Sequence, residues 1–327
     1  MFHFLRRRTD NGDQAVSADP LTPSALPDRP TIGLALGGGA ARGFAHIGVI
    51  RTLAAKGFRP DIIAGTSIGA VIGGCYAAGK LDDFEEWGRG LTRRRVLGYL
   101  DVSFTGSGLI GGARLAEKLE TGIGDTTIES LPVRYGAIAT EIGTAHEIWL
   151  TRGRLVDAMR ASYALPGLFP PQHVGGRWLM DGALVNPLPV SAARAFGARL
   201  VIAVNLNADN FGRGTVIYDH GADAAPIETA ARSLIDPHLA ERSAQRRFLG
   251  TTSRPGISTV MVEAFNVMQD RITRARLAGD PPDVLISPKL GRVGVFEFHR
   301  AQEAIALGAE AAERALEAVG EAVAALG

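Results

Sequence analysis

Between Ile62 and Gly79 the chain runs for eighteen residues without a charged side chain, and five of them are glycine. That length matches a membrane span. Glycines at 65, 69, 73, 74 and 79, together with Thr66 and Ser67, suit a buried strand, a tight turn and a buried helix better. The residues before it follow the same plan. Thr31–Leu36 is a short apolar run that ends in Gly37-Gly38-Gly39. From Ala40 to Lys56, Phe44, Ile47, Ile50 and Leu53 recur at helical spacing, and Gly57 and Pro60 stop the helix. Asp61–Ala64 reads as a second strand and Ile68–Ala78 as a second helix. The order strand, glycine loop, helix, strand, tight turn, helix calls for parallel strands joined by a right-handed crossover. Further on, Val133–Glu141 and Glu147–Thr151 read as strands and Leu155–Arg160 as a helix. The run Leu200–Asn205 has the continuous apolar character of a strand buried in a parallel sheet.

Composition narrows the function. Lys+Arg 35 against Asp+Glu 34 leaves a net charge of +1, so there is no electrostatic footprint for nucleic acid. Cys75 is the single cysteine, which excludes an intrachain disulfide framework and a cysteine-rich zinc site. No histidine pair has metal-ligand spacing and no calcium-type loop is present, so no metal is expected. At the N-terminus Arg6-Arg7-Arg8 follows a very short apolar run with no h-region after it, and a secretory signal is not expected. Residues 9–30 are polar and proline-rich and read as a flexible lead-in, with the arginines more suited to solvent than to a membrane surface. The expected organisation is 1–30 as that lead-in, 31–210 as the main α/β domain, and 211–327 as a mainly helical extension. Within the main domain, Leu81–Gly124 breaks the pattern with helical excursions, and Gly106–Gly112 fits a flap over a pocket as well as a plain loop. Arg93–Arg95 reads as a solvated helix face. Ala301–Leu326 is a long amphipathic helix with an acidic outer face, wrong for anionic lipid and suited to docking on the body or on a second subunit.

Three motifs carry chemistry. Gly65-Thr66-Ser67-Ile68-Gly69 is a G-x-S-x-G sequence between an apolar strand and a helix, the setting of a nucleophile elbow that exposes the serine oxygen. Gly37-Gly38-Gly39-Ala40-Ala41-Arg42-Gly43 could cradle a phosphate at a helix start. Its spacing fails the dinucleotide pattern, because Arg42 occupies the third glycine position, and no G-K-[ST] follows. The alternative is an oxyanion hole of backbone N–H groups facing an ester under attack by Ser67. Asp181-Gly182-Ala183 ends an apolar segment; by itself it reads as a turn pair.

Taken in order, these segments resemble the patatin-like phospholipases, across roughly Ile32 to Gly197. Ala158–Ser162, Pro166–Pro171 and Asn186–Val190 resemble further segments of that family, and the version is similar to its bacterial members and to the catalytic domain of neuropathy-target-esterase-like proteins. The resemblance implies a three-layer α/β/α fold with a mostly parallel central sheet and a helical C-terminal extension. It implies a Ser–Asp dyad, with Ser67 as nucleophile and Asp181 as base. Gly37, Gly38, Gly39 and Arg42 would form the oxyanion or anion-binding loop, Gly65 and Gly69 the elbow, and Gly182 and Ala183 the turn after the base. The loop has one residue more than the plant version, which leaves open which N–H groups form the hole. The implied activity is hydrolysis of a phospholipid or another acyl ester, of the phospholipase A or lysophospholipase kind, without a cofactor. It would take place in the cytoplasm or in transient contact with the inner membrane surface. An esterase of soluble esters, an acyltransferase and a silent membrane-associated regulator stay open as alternatives, as does a homo-oligomer.

A carboxyl group with the ordinary aspartate pKa of ~3.9 is a poor base at neutral pH. The dyad therefore needs an apolar setting for Asp181, and flanking Leu179, Met180 and Leu184 suggest one. A Ser–Asp–His order ending at His220, His238 or His299 exists on paper. Only about 35 residues of structured chain precede Ser67, too few for the strands an α/β-hydrolase sets before its nucleophile. His46 lies at a helical interior position, where packing is its expected role.

Overall fold

Alternate residues of each central strand face two different helical layers, and this period-2 division builds the molecule. The computed structural model describes residues 29–93, 113–209 and 257–327. The flap or loop at 106–112, Arg94 and Arg95, the N-terminal lead-in to residue 28, and His220 and His238 lie outside them. In β1 (Ile32–Leu36), Ile32, Leu34 and Leu36 point into the larger apolar core while Ala35 points into a smaller one on the other face. β2 (Ile62–Thr66) divides the same way, with Ile63 on one side and Ile62 and Ala64 on the other. So does β7 (Leu200–Val204), with Leu200, Ile202 and Val204 opposed to Val201 and Ala203.

Among the described residues the sheet has eight strands. β3 (Arg134–Glu141), β2, β1, β7 and β8 (Val284–Ile286) are neighbours in that order and run parallel. β4 (Glu147–Leu150) and β6 (Arg177–Asp181) pair antiparallel with β3, and β5 (Gln172–Val174) pairs antiparallel with β6. The larger core lies between the sheet and α1 (Ala45–Ala55), α2 (Ile68–Ala77), α3 (Leu81–Arg89), α4 (Ala113–Ile123), α5 (Leu155–Ser162) and α8 (Ala301–Leu326). On the opposite face lie α6 (Val190–Ala195) and Leu277, near the end of α7 (Ile257–Gly279). This is the three-layer α/β arrangement expected from the sequence, with a mostly parallel sheet.

The structure differs from the sequence reading at several points. The glycine loop leads first into a 3-10 turn, Ala40–Phe44, and only then into α1. Residues beyond 210 do more than extend the fold: β8 adds a strand beside β7, and α8 packs along α1. That last contact is backbone to backbone. A Cβ on Gly48 would stand 2.0 Å from the Ile305 carbonyl oxygen, and one on Gly308 2.0 Å from that of Ala45. The C-terminal helix expected to dock packs on the body of its own chain.

Candidate active site

Ser67 sits at the sharp corner between β2 and α2 with φ 56° and ψ −123°, a left-handed conformation that is strained for a side-chain-bearing residue. Its flanking glycines are needed for space rather than for φ. A Cβ on Gly65 would lie 2.5 Å from the Ala70 Cα, and one on Gly69 2.2 Å from the Leu36 carbonyl oxygen. The corner is tied down by hydrogen bonds. The Ser67 N–H donates to the Ser162 Oγ at 2.9 Å, and that hydroxyl donates to the Ile138 carbonyl at 2.6 Å. The Thr66 hydroxyl donates to the Asn186 carbonyl at 2.8 Å.

Strand register delivers Asp181 to the same place. β4 fills one edge of β3, so β2 and β6 share the other. Thr66 of β2 pairs with Ile138, and Asp181 of β6 pairs with the next residue, Ala139. The residue after Thr66 is therefore brought against the last residue of β6. The Ser67 Oγ donates to the Asp181 Oδ2 at 2.7 Å, and the Ala183 N–H donates to Oδ1 at 2.8 Å. Gly182 permits this turn, since a Cβ there would meet the Ile138 carbonyl oxygen at 2.2 Å. Asp181 is 1% exposed. Burial raises its pKa to about 7, against the lowering effect of the Ala183 N–H and the Ser67 hydroxyl. A hydroxyl held on a carboxylate that titrates near neutrality can surrender its proton to it.

The glycine loop approaches from β1, and here the structure redistributes the expected roles. The Gly37 N–H donates to the Val204 carbonyl at 3.2 Å and the Gly38 N–H to the Pro187 carbonyl at 3.0 Å. Both amides are thus committed to the framework. Arg42 is also turned away from the anion-binding role: its Nε donates to the Val293 carbonyl at 2.8 Å and its Nη1 to the Asn207 Oδ1 at 3.4 Å. Asn207 in turn donates to the Gly38 carbonyl at 3.2 Å, so Arg42 and Asn207 brace the loop. Gly39 is the member of the expected set that lines the cavity beside Ser67, joined by Ala40. The N–H groups of Gly39 and Ala40 have no acceptor among the described residues. Ala40 has φ 49°, so positive-φ residues other than glycine stand on both sides of the site.

His46 does more than pack. Its Nε2 lies 2.8 Å from the Gly37 carbonyl oxygen, and burial lowers its pKa to about 4. The ring is neutral at physiological pH, so Nε2–H is the donor, and Nδ1 is left buried without a partner. His46 and Ser162 are site residues to which sequence reasoning assigned no such role. Ser162 closes the Ala158–Ser162 segment, but nothing in its spacing points to the Ser67 amide.

A cavity of about 140 Å³ opens beside Ser67 and Asp181. Its walls are mainly apolar, including Val71, Trp87, Leu115, Phe169, Phe265 and Phe296. One wall is α7, which presents Val262, Phe265, Asn266 and Gln269 at helical spacing. The site therefore needs residues from beyond position 210. Among the described residues no three His, Cys, Asp or Glu side chains gather as a metal site, and no helix is long and apolar enough to cross a membrane.

A family model described as patatin-like phospholipase matches residues 34–194. An uncharacterised NTE family protein of Mycobacterium tuberculosis is 36% identical, over 90% of this chain and 95% of its own length. A patatin-like phospholipase domain-containing protein of Caenorhabditis elegans is 37% identical over 58% of this chain and 14% of its own. The mouse patatin-like phospholipase domain-containing protein 7 is 36% identical over 54% of this chain and 13% of its own.

Proposed function

The chain belongs to the patatin-like phospholipase family, in its NTE branch, and from that premise we propose that it is a lipid acyl hydrolase working through a Ser67–Asp181 dyad. The observation that carries the reading is the 2.7 Å hydrogen bond from the Ser67 hydroxyl to the buried Asp181 carboxylate, at the wall of an apolar cavity.

In the first half-reaction the Ser67 Oγ attacks the ester carbonyl carbon and its proton passes to the Asp181 Oδ2. Charge developing on the carbonyl oxygen is met by the N–H groups of Gly39 and Ala40, held by the braced loop. The tetrahedral species collapses, the C–O bond to the leaving alcohol breaks, and Asp181 returns the proton to that alcohol. Water then attacks the acyl-Ser67 ester with Asp181 again as base, and the fatty acid leaves. Above a pKa of about 7 the carboxylate is free to accept the proton in the first step. The apolar cavity suits an acyl chain, and a phospholipase A or lysophospholipase substrate fits that chemistry. The outward side of α7 supports transient contact with a lipid surface, since Val260, Met261 and Met268 there are about half exposed.

Fluorophosphonate labelling, combined with hydrolysis of p-nitrophenyl esters of increasing chain length, tests the reading. Labelling at Ser67, with turnover lost in Ser67→Ala and Asp181→Asn, is expected. A rising preference for long chains favours a lipid substrate, and a preference for short chains favours an esterase of soluble esters. A folded wild type that neither labels nor turns over would point to a silent regulator.

A further inference from the structure

The N–H groups of Gly39 and Ala40 are oriented by different means. A trans peptide is planar, so its C=O and N–H point in opposite directions, and holding one fixes the other. No cis peptide bond occurs among the described residues. The Gly39 carbonyl accepts from the Arg42 N–H at 3.2 Å, within the 3-10 turn, so local structure aims the Ala40 N–H. The Gly37–Gly38 peptide is held at both ends, its carbonyl by the His46 Nε2 at 2.8 Å and its N–H by the Pro187 carbonyl at 3.0 Å. The Gly38–Gly39 peptide between them has glycine on both sides, so no side chain of its own restricts its rotation. It begins beside the nucleophile, since a Cβ on Gly38 would stand 3.5 Å from the Ser67 Cβ. Its carbonyl is held by a side chain from far along the chain, the Asn207 amide, at 3.2 Å.

We infer that Asn207 is a positioning residue that aims the Gly39 N–H at the ester oxygen on which charge develops when Ser67 attacks. The inference deepens the dyad reading above and rests on it. Asn207 is 7% exposed and follows β7 by three residues, and its N–H donates to the Asn205 Oδ1 at 3.0 Å. Its side-chain amide has one orientation that satisfies both neighbours. A carbonyl oxygen only accepts and a guanidinium only donates, so Nδ2 faces Gly38 and Oδ1 faces the Arg42 Nη1, at 3.4 Å. With the Gly38 carbonyl drawn toward Asn207, the Gly39 N–H of the same peptide points the other way. Gly39 lines the cavity beside Ser67, and its N–H has no acceptor among the described residues. The donor is thus set before substrate arrives and has no need to reorganise as the charge forms. Rotation of this peptide would turn the Gly38 carbonyl toward the same charge and replace attraction by repulsion.

The test compares wild type, Asn207→Asp and Asn207→Leu in the full chain. Aspartate keeps the acceptor for Arg42 and loses the donor to Gly38, and leucine loses both at similar volume. Three quantities are read: kcat and KM for a long-chain p-nitrophenyl ester, the Kd of a long-chain alkyl trifluoromethyl ketone, on which Ser67 forms a tetrahedral oxyanion, and the Kd of the matching alkyl methyl ether, which forms none. Both variants are expected to lose about 10²-fold in kcat, the scale of one misdirected oxyanion donor. The ketone should weaken by a like factor, while KM and ether binding stay at the wild-type values. Either variant carries the test if the other does not fold. Wild-type kcat in Asn207→Asp overturns the inference, because the contact with Arg42 then suffices. An unchanged ketone Kd overturns it too, as does a parallel loss of ether and ketone binding, which marks a distorted cavity. A wild type that fluorophosphonate does not label at Ser67 overturns the dyad reading first, and the inference with it. Labelled wild type with equally active variants overturns the inference alone.

Discussion

Two buried titratable residues give the site opposite responses to pH. Asp181 has its pKa raised to about 7 by burial, so its contribution to stability is full below the unfolded value near 3.8 and is lost as pH rises through 7. His46 has its pKa lowered to about 4, so its contribution is present above its unfolded value near 6.5 and is lost as pH falls toward 4. Between these limits the slopes oppose each other. Thermal unfolding of wild type and Asp181→Asn across pH 4 to 8 should therefore diverge, with the asparagine variant gaining on wild type up to about pH 7 and then running level. Catalysis should show the same group in the other sense, as kcat/KM rises with pH about a midpoint near 7. Ser162 offers a second check. Ser162→Ala removes the acceptor of the Ser67 N–H and the donor to the Ile138 carbonyl, and leaves both without that partner. A loss of about 1–3 kcal/mol in stability and a fall in kcat are expected from denaturant titration and steady-state kinetics.

At the scale of elements, glycine governs how closely pieces of backbone approach. The corner at Ser67 and the turn at Gly182 each bring a glycine to 2.2 Å, in Cβ terms, from a carbonyl oxygen of a neighbouring strand. The α1–α8 crossing does the same through Gly48 and Gly308, away from the chemistry. Gly308→Ala should lower thermal stability by about 1–3 kcal/mol through overpacking. In the molecules that remain folded, kcat should be unchanged. Gly69→Ala should instead destabilise and reduce kcat together, because the displaced backbone carries the first turn of α2 behind Ser67. Differential scanning fluorimetry beside kinetics on the two variants separates these outcomes. The elements themselves were largely legible in the sequence. β1, β2 and α2 announce themselves as short apolar runs punctuated by glycine, and β7 as a continuous apolar run. β8 is three residues long, too short for a periodic signal, and its strand character depends on lying beside β7.

Across the whole molecule, the cavity gathers residues from positions 39 to 298, so its shape belongs to no single segment. Val71, on α2 one turn beyond Ser67, lines it. Val71→Phe should fill part of the space and shift the preferred p-nitrophenyl ester toward shorter chains. The chain-length profile of the variant against wild type measures that shift.

The sequence by itself determined the parallel α/β plan and the serine corner. Both are local: a strand period, a helix period, and glycines where a tight turn must pass close to its neighbour. It also marked Asp181, through the order of motifs rather than through any property of Asp-Gly-Ala alone. Only the tertiary structure decided which amides of the glycine loop are free. Gly37 and Gly38 donate to carbonyls of Val204 and Pro187, more than 140 residues away along the chain. The structure alone turned Arg42 onto Val293, placed His46 beneath the Gly37 carbonyl and set Gln269 beside Ser67. Arg42 and Gln269 meet segments far along the chain, His46 reaches back nine residues only once its helix is buried, and none of these contacts leaves a period or a spacing in the sequence. The meeting of Ser67 with Asp181 belongs to the same class, since it follows from the register in which β2 and β6 share one edge of β3.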